Sequence, residues 1–234
     1  MRTFVMGDLH GAYKAMKQCF DRSGYDYHVD QLIFLGDVAD GWSQVPECIE
    51  EFLKIKNLII LKGNHDIWLE KYLDAGEEPE QWLLQGGIIS VQSYQKNKEI
   101  VSKHLRFLKS GLPYYHDFKN RLFIHAGFNP DKPVEETNSP EFDYFWSREI
   151  FLKSFLYPVQ PDLYFEIYIG HTPTLGISTK PVNNNNVWLM DQGAGWDGYL
   201  SLMNIDTKEL FQSDCVTGLY PDEPGRKGIS DYFQ

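Results

Sequence analysis

Cysteine is scarce: three in 234 residues, Cys19, Cys48 and Cys215, with no CxxC pair. The odd number and wide spacing exclude a disulfide framework and a zinc-thiolate site, leaving reduced structural or surface thiols. Basic residues are short too. There are 22 Lys and Arg against 33 Asp and Glu, for a net charge of −11. A non-specific nucleic-acid binder needs a basic surface to displace counterions, so that class is set aside, although a local basic patch is still allowed. Long apolar runs are missing. Nothing approaches the roughly 20 residues that span a bilayer, and "MRTFVMGD" enters an apolar strand without a signal-peptide core. The expectation is a cytoplasmic protein with no membrane, nucleic-acid or obligate protein partner. No repeat and no break in composition divides the chain, so residues 1–234 are expected to form a single domain with ample core.

Several short apolar runs are present, and each ends in glycine or a ligand-type residue. "TFVM" (3–6) runs into Gly7-Asp8, "LIFL" (32–35) into Gly36-Asp37, and "LIIL" (58–61) through Lys62 into Gly63-Asn64-His65. "RLFIH" ends at His125, "EIYIGH" at His171 and "VWLMD" at Asp191. Short continuous runs suit strands buried on both faces. Helical patterns at 12–24 and 45–56 separate the first three, so βαβ units and a partly parallel sheet are expected. Ligands of open α/β sheets gather beyond the carboxyl ends of the strands. The polar segment from about 67 to 118, broken by "QGG" at 85–87, reads as a helical excursion. "NNNN" (183–186) reads as a solvated hairpin turn and "PDEPGRKGISDYFQ" (221–234) as a loosely ordered tail.

The strand ends collect Asp8, His10, Asp37, Asp40, Asn64, His65, His125 and His171. This oxygen-and-imidazole set, without thiolate, suits Mn²⁺, Fe or Zn²⁺. Two metals a few ångströms apart need a bridging carboxylate, and Asp37 is central in the order. Such a pair can clamp a phosphoryl group and activate water. One Gly-Asp or one His alone is more simply a turn or a structural side chain. Five such ends together shift that balance.

"GDLHG" (7–11), "GDVADG" (36–41), "GNHD" (63–66), "HAG" (125–127) and "GHT" (170–172) resemble, in order, the signature blocks of the calcineurin-like metallophosphoesterases. The likeness is to the bacterial phosphoprotein phosphatase and diadenosine-tetraphosphatase branch, and "LMDQGAG" with "YLSLMNIDT" extends it over nearly the whole chain. The resemblance implies an α/β fold, a four-layer α/β/β/α sandwich. It implies two divalent metal ions, manganese first with iron or zinc as alternatives. Asp8 and His10 would bind one, Asp37 would bridge, and Asn64, His125 and His171 would complete the other. His65 would be the general acid, held by Asp40, whose negative charge would favour its protonated form. In "DYFWSREIFL" (143–152), Arg148 would bind substrate phosphate; pairing with Glu149 or Asp143 is its ordinary alternative.

The sequence departs from the pattern directly after Asp40. An arginine is expected there, and Gly41 and Trp42 follow instead. Trp42 reads as a core or rim residue, with a stacking face for a base as the other option. Gly86-Gly87 could admit a close backbone approach to substrate or mark a turn between helices. The implied activity is phosphoester hydrolysis by a hydroxide bridging two metals, most simply as a Ser/Thr-type protein phosphatase or general phosphomonoesterase. The missing arginine keeps a nucleotide-directed hydrolase or phosphodiesterase open, and a non-catalytic metal-binding scaffold is the remote alternative. The substrate would be a phosphorylated protein, a nucleotide or a small phosphoester.

Overall fold

The short apolar runs are strands because both of their faces are covered. The computed structural model of the chain describes residues 1–226. Strand β1 (Thr3–Met6), helix α1 (Tyr13–Ser23), β2 (Gln31–Phe34), α2 (Val45–Phe52) and β3 (Asn57–Ile60) make two right-to-expectation βαβ units. Helix α3 (Asn64–Ala75) follows, then α4 (Glu80–Trp82), α5 (Ile88–Lys96) and α6 (Val101–Lys109). The chain enters a second sheet with β4 (Tyr114–His116) and β5 (Arg121–Ile124). Helices α7 (Pro140–Trp146) and α8 (Glu149–Ser154) lead to β6 (Glu166–Ile169), β7 (Val182–Asn184) and β8 (Val187–Leu189). Strands β9 (Ser201–Asn204) and β10 (Leu210–Gln212) and the short α9 (Val216–Leu219) complete the described residues.

The sheets have matching plans. In the first, ordered β10-β9-β1-β2-β3, the trio β1, β2 and β3 is parallel and β9 and β10 add antiparallel neighbours. In the second, ordered β4-β5-β6-β8-β7, the parallel trio is β5, β6 and β8, flanked by antiparallel β4 and β7. Successive side chains of a strand point to opposite faces. Val5, Ile33, Phe123, Tyr168 and Met203 therefore pack between the sheets. Phe4, Met6, Leu32 and Phe34 face outward onto Met16, Ile49 and Phe52 of α1 and α2. Leu122, Ile124, Ile167 and Ile169 face the other way, onto Tyr144, Ile150 and Phe151 of α7 and α8. The four expected layers, α/β/β/α, follow from these three cores.

Two boundaries differ from the expectation. The helical excursion begins at Asn64, not near 67, so the Asn64-His65 pair opens α3. It ends at Lys109, and Tyr114–His116 is an edge strand paired with β5. The hairpin at 183–186 is present as the β7–β8 turn, but it is not merely solvated. The Asn186 amide donates to Val159 O and Tyr164 O and accepts from Val159 N, tying the turn to the loop before β6. Among the described residues no helix is long and apolar enough to cross a membrane.

Candidate metal centre

The carboxyl ends of both parallel trios meet at one place. Asp8 and His10 follow β1, Asp37 and Asp40 follow β2, and Asn64 and His65 open α3 after β3. His125 follows β5, His171 follows β6 and Asp191 follows β8. His10, Asp37, Asp40 and His171 have φ of 49°, 60°, 71° and 63°. They are four of the eight described non-glycine residues with positive φ. A left-handed residue costs on the order of 1–2 kcal/mol, so the surroundings must hold these turns in place. Asp66 does much of this. Its buried carboxylate accepts the N–H groups of Asp37 (2.8 Å), Val38 (2.8 Å) and Gly63 (3.0 Å). Glycine is required at 63, where a Cβ would lie 2.0 Å from Asp37 Oδ1.

Two groups of donor atoms share Asp37: Asp8, His10 and Asp37, and Asp37, His125 and His171. The ring hydrogen bonds settle where the imidazole lone pairs point. His10 Nδ1–H donates to Ala39 O (2.8 Å), so its Nε2 is an acceptor. His125 Nδ1–H donates to Leu35 O (2.9 Å) and His171 Nε2–H to Trp146 O (3.1 Å). Their remaining nitrogens both face Asn64 Oδ1, at 3.1 and 3.0 Å, and His125 Nε2 lies 3.4 Å from Asp37 Oδ2. Lone pairs thus converge on lone pairs with no proton between them. The backbone N–H of His171 donates to Asp8 Oδ2 (2.9 Å), and the buried Asp8 Oδ1 has no partner among the described residues.

The charges fit the same conclusion. Burial, then Asp191 and Asp37, push the Asp8 carboxyl well above its ordinary range. Burial and Asp66 do the same to Asp37. Burial drives Asp191 and Asp66 up to about 6. Burial, reinforced by Arg226 at His10 and by His171 at His125, holds both imidazoles well below their usual range, and His171 is lowered to about 4. Neutral imidazoles and crowded carboxylates are what a divalent cation binds, and its charge would relieve that crowding. An orphaned carboxylate oxygen and converging lone pairs fit the divalent metal the blocks imply.

His65 lies beside this centre. Its Nδ1 is 2.5 Å from Asp40 Oδ2, which also accepts Trp82 Nε1–H at 2.8 Å. Ser90 Oγ–H donates to Asp40 Oδ1 at 2.7 Å. Burial, Arg226 and His171 push the His65 imidazole well below its usual range. Burial raises Asp40 to about 7, against the pull of Ser90, Trp82 and Arg226. Asp40 and His65 therefore titrate as one unit, with a proton shared along the Oδ2–Nδ1 contact. When Asp40 carries it and donates to Nδ1, the proton of a neutral His65 must be on Nε2.

Beyond His65 and Asp37 opens a cavity of about 380 Å³ lined by Phe142, Trp146, Arg148, Trp196 and Arg226. Arg148 stands just before α8 and is exposed; Glu149, its ordinary alternative partner, pairs with Lys153 instead. Trp42 is fully buried and donates Nε1–H to Ala194 O at 2.7 Å, so it offers no face to a base. Gly86 adopts φ 111° and packs on the Asp40–Gly41 turn, where a Cβ would meet Gly41 N at 2.9 Å. A Cβ on Gly87 would strike the Trp82 ring at 2.5 Å. The glycine pair thus seats a helix kink on the Asp40 turn. The tail departs most from expectation. Within 221–226, Pro221, Asp222 and Pro224 stay exposed, but Glu223, Gly225 and Arg226 pack down and bring Arg226 to the centre, while 227–234 lie outside the described residues.

Sequence reasoning did not assign Asp66, Trp82, Ser90, Asp191 or Arg226. Asp66 and Asp191 were visible as members of "GNHD" and "VWLMD". Trp82 and Ser90 sit in the polar excursion without a spacing signal, and Arg226 sits in a Pro/Gly-rich tail.

The description "calcineurin-like phosphoesterase" belongs to a family model that matches residues 1–199. The symmetrical bis(5'-nucleosyl)-tetraphosphatase of Haemophilus ducreyi is 24% identical over 283 residues, covering 92% of this chain and 99% of the relative. That of Neisseria gonorrhoeae is 21% identical over 276 residues, covering 94% and 98%. The crystal structure of a cold-active protein-tyrosine phosphatase from a psychrophilic Shewanella superposes with a TM-score of 0.60 at 16% identity, covering 93% of this chain and 78% of that one.

Proposed function

From the premise that the chain belongs to the calcineurin-like phosphoesterase family, we propose that it is a metal-dependent phosphoric ester hydrolase acting on a nucleotide-type substrate. The observation that carries the reading is the sharing of Asp37 between two donor groups beside the His65–Asp40 pair. Asp8, His10 and Asp37 would hold one divalent ion, and Asp37, Asn64, His125 and His171 a second, with manganese, iron and zinc all suited to the donors. Such ions, when bound, act as Lewis acids toward a phosphoryl group and lower the pKa of water.

The chain's own residues supply the rest. Arg148 binds phosphate oxygens, for which a guanidinium has a matching fork of donors. Asp40 fixes the His65 ring, and the two groups act as one coupled acid. Written as a carboxyl with neutral imidazole, or as carboxylate with imidazolium, the doubly protonated pair has a proton on Nε2. With Nδ1 engaged by Asp40, that proton faces the cavity and passes to the leaving oxygen. Trp82 and Ser90 keep the Asp40 carboxyl from turning away.

The relatives named as tetraphosphatases support the nucleotide among the substrates left open by the sequence. The aromatic lining of Phe142, Trp146 and Trp196 beside Arg148 supports it as well, since a base can stack where its phosphate is gripped. The test is a substrate panel on Mn²⁺-loaded protein: p-nitrophenyl phosphate, its bis-ester, a dinucleoside tetraphosphate and a phosphopeptide. The tetraphosphate is expected to give the highest kcat/KM, with His65→Ala lowering kcat by about 10²–10⁴. A higher kcat/KM for the phosphopeptide overturns the substrate assignment. Unchanged turnover in fully metallated His65→Ala overturns the mechanism.

A further inference from the structure

The tail that ends the described residues is fixed by contacts that converge on Trp42. Tyr220 stacks on the indole, with centroids 4.9 Å apart and planes 19° apart. Tyr220 Oη donates to Gln44 Oε1 and accepts Lys14 N–H, both at 2.9 Å. The Glu223 carboxylate accepts the Ser43 N–H and hydroxyl, also at 2.9 Å. Gly225, with φ 60°, lies against the indole edge, where a Cβ would stand 2.7 Å from the ring. The next residue, Arg226, is thereby aimed across Gly41 into the cavity.

The Arg226 stem runs beside the space that a side chain at 41 would enter. A Cβ on Gly41 would be 3.5 Å from Arg226 Cγ, and one on Gly195 would be 3.2 Å from its Cδ. The guanidinium lies over the Trp196 ring, 4.5 Å from the centroid. Its one hydrogen bond among the described residues is from Nη1 to His10 Nε2, at 3.3 Å. The buried Nε–H has no partner. A guanidinium has five N–H donors, and this one is placed among Asp8, Asp37, Asp40 and Asp191 without a hydrogen bond to any of them. An arginine serving only to neutralise carboxylates would be forked onto one. Here the donors are left toward the cavity that His65 and Arg148 also line. The His10 Nε2 lone pair is a proposed ligand, so in the metal-loaded protein the Nη1 donor is released as well.

We propose that Arg226 is a substrate-phosphate ligand, delivered by the C-terminal tail over Gly41 to act with Arg148. The proposal rests on the reading of this cavity as a phosphoester site. It gives Gly41 and Trp42 a joint role, one making room for the arginine's stem and the other anchoring the strand of chain that carries it.

The experiment measures binding of inorganic phosphate to the Mn²⁺-loaded full chain by titration calorimetry, with metal content determined for each variant. Arg226→Ala is expected to weaken phosphate binding by about 10- to 100-fold, as loss of hydrogen bonds to a charged group does. Arg226→Lys should recover part of it, and metal content should not change. Gly225→Val acts at a distance from the cavity. By unseating the tail from Trp42 it should reproduce the Arg226→Ala loss with the centre itself intact. The proposal is overturned if Arg226→Ala binds phosphate as wild type does while Arg148→Ala does not. It is also overturned if Arg226→Ala only tightens metal binding, which would make the arginine a cation stand-in. Hydrolysis of the panel substrates separates the two levels. A wild type that hydrolyses them while Arg226→Ala is unaffected sinks this inference alone. A wild type inert toward all of them sinks the function, while phosphate affinity still decides on Arg226.

Discussion

Replacing Asp40 with asparagine should stabilise the protein and disable it, and the two effects have separate origins. Asp40 is fully buried, and burial raises its carboxyl from an ordinary 3.8 to about 7. A carboxyl raised on folding costs nothing below its unfolded pKa. The cost grows as pH climbs from about 4 and levels off above about 7. The full rise is worth about 4 kcal/mol at 1.36 kcal/mol per tenfold change in the ionisation constant. At pH 5 only about a third of it is present. Asp40→Asn removes the cost, so its advantage over wild type should be roughly 2–3 kcal/mol larger at pH 8 than at pH 5. The measurement is urea unfolding of chelator-treated wild type and variant at both pH values, compared through midpoints. The amide also dictates a tautomer. Its oxygen must accept from Trp82 Nε1, and in that orientation it accepts from His65 Nδ1–H too, stripping the proton from Nε2. Turnover of the metal-loaded variant should fall by about 10²–10⁴ with KM little changed. A stability difference that does not depend on pH would refute the burial argument. Near-normal kcat would refute the coupled acid.

Chelation should lower the Tm, and the loss should deepen as pH rises from 5 to 8. Asp8 and Asp37 are raised well above their ordinary range and Asp191 to about 6, so ionising them without a cation destabilises the fold; a chelated protein equally stable at pH 5 and 8 contradicts this. Gly41→Arg, which installs the arginine the family pattern leads one to expect, should cost about 1–2 kcal/mol of stability because residue 41 has φ 83°. It should also displace Arg226 rather than add to it, and a lower phosphomonoester KM together with an unchanged urea midpoint would count against that. Disulfide-exchange reagents should modify one thiol per native chain quickly, Cys215. Cys19, pushed up to about 12 by burial, and the buried Cys48 should react only on unfolding, and a second fast thiol would contradict it.

The candidate ligand residues were legible because strands buried on both faces leave short uninterrupted apolar runs, and each run stops where the chain turns toward the centre. Asp8, Asp37, His125 and His171 could be read off those stops, and the two sheets followed from the order of runs and helices. What stayed hidden acts through groups with no periodic signature. Asp66 works by accepting backbone N–H groups of a turn 29 residues earlier. Trp82 and Ser90 reach Asp40 from a helix kink whose sequence looks like a polar surface. Arg226 lies 216 positions from the His10 nitrogen it touches. Its tail, rich in Pro, Gly and charge, had the composition of a loose end, and only Trp42 and Tyr220 reveal that it has a seat. The setting of His65 was hidden for a related reason. Pairing with Asp40 was visible, but the complete burial of both partners was not.

The spread of the centre along the chain has a consequence for how the protein is made. Asp8, His10 and Asp37 stand on the first sheet and are synthesised early, so a nascent chain can close that acidic turn from local βαβ pairing. His125 and His171 belong to the second sheet. The bond from the His171 backbone to Asp8 spans 163 positions and can form only after β6 has emerged and docked. Arg226 arrives later still. The centre therefore matures from Asp8, His10 and Asp37, through His125, His171 and Asp191, to Arg226. A chain halted before β6 would hold only half of the proposed ligands, too open to retain a metal, and uptake of the ion would mark the moment at which the two sheets first come together.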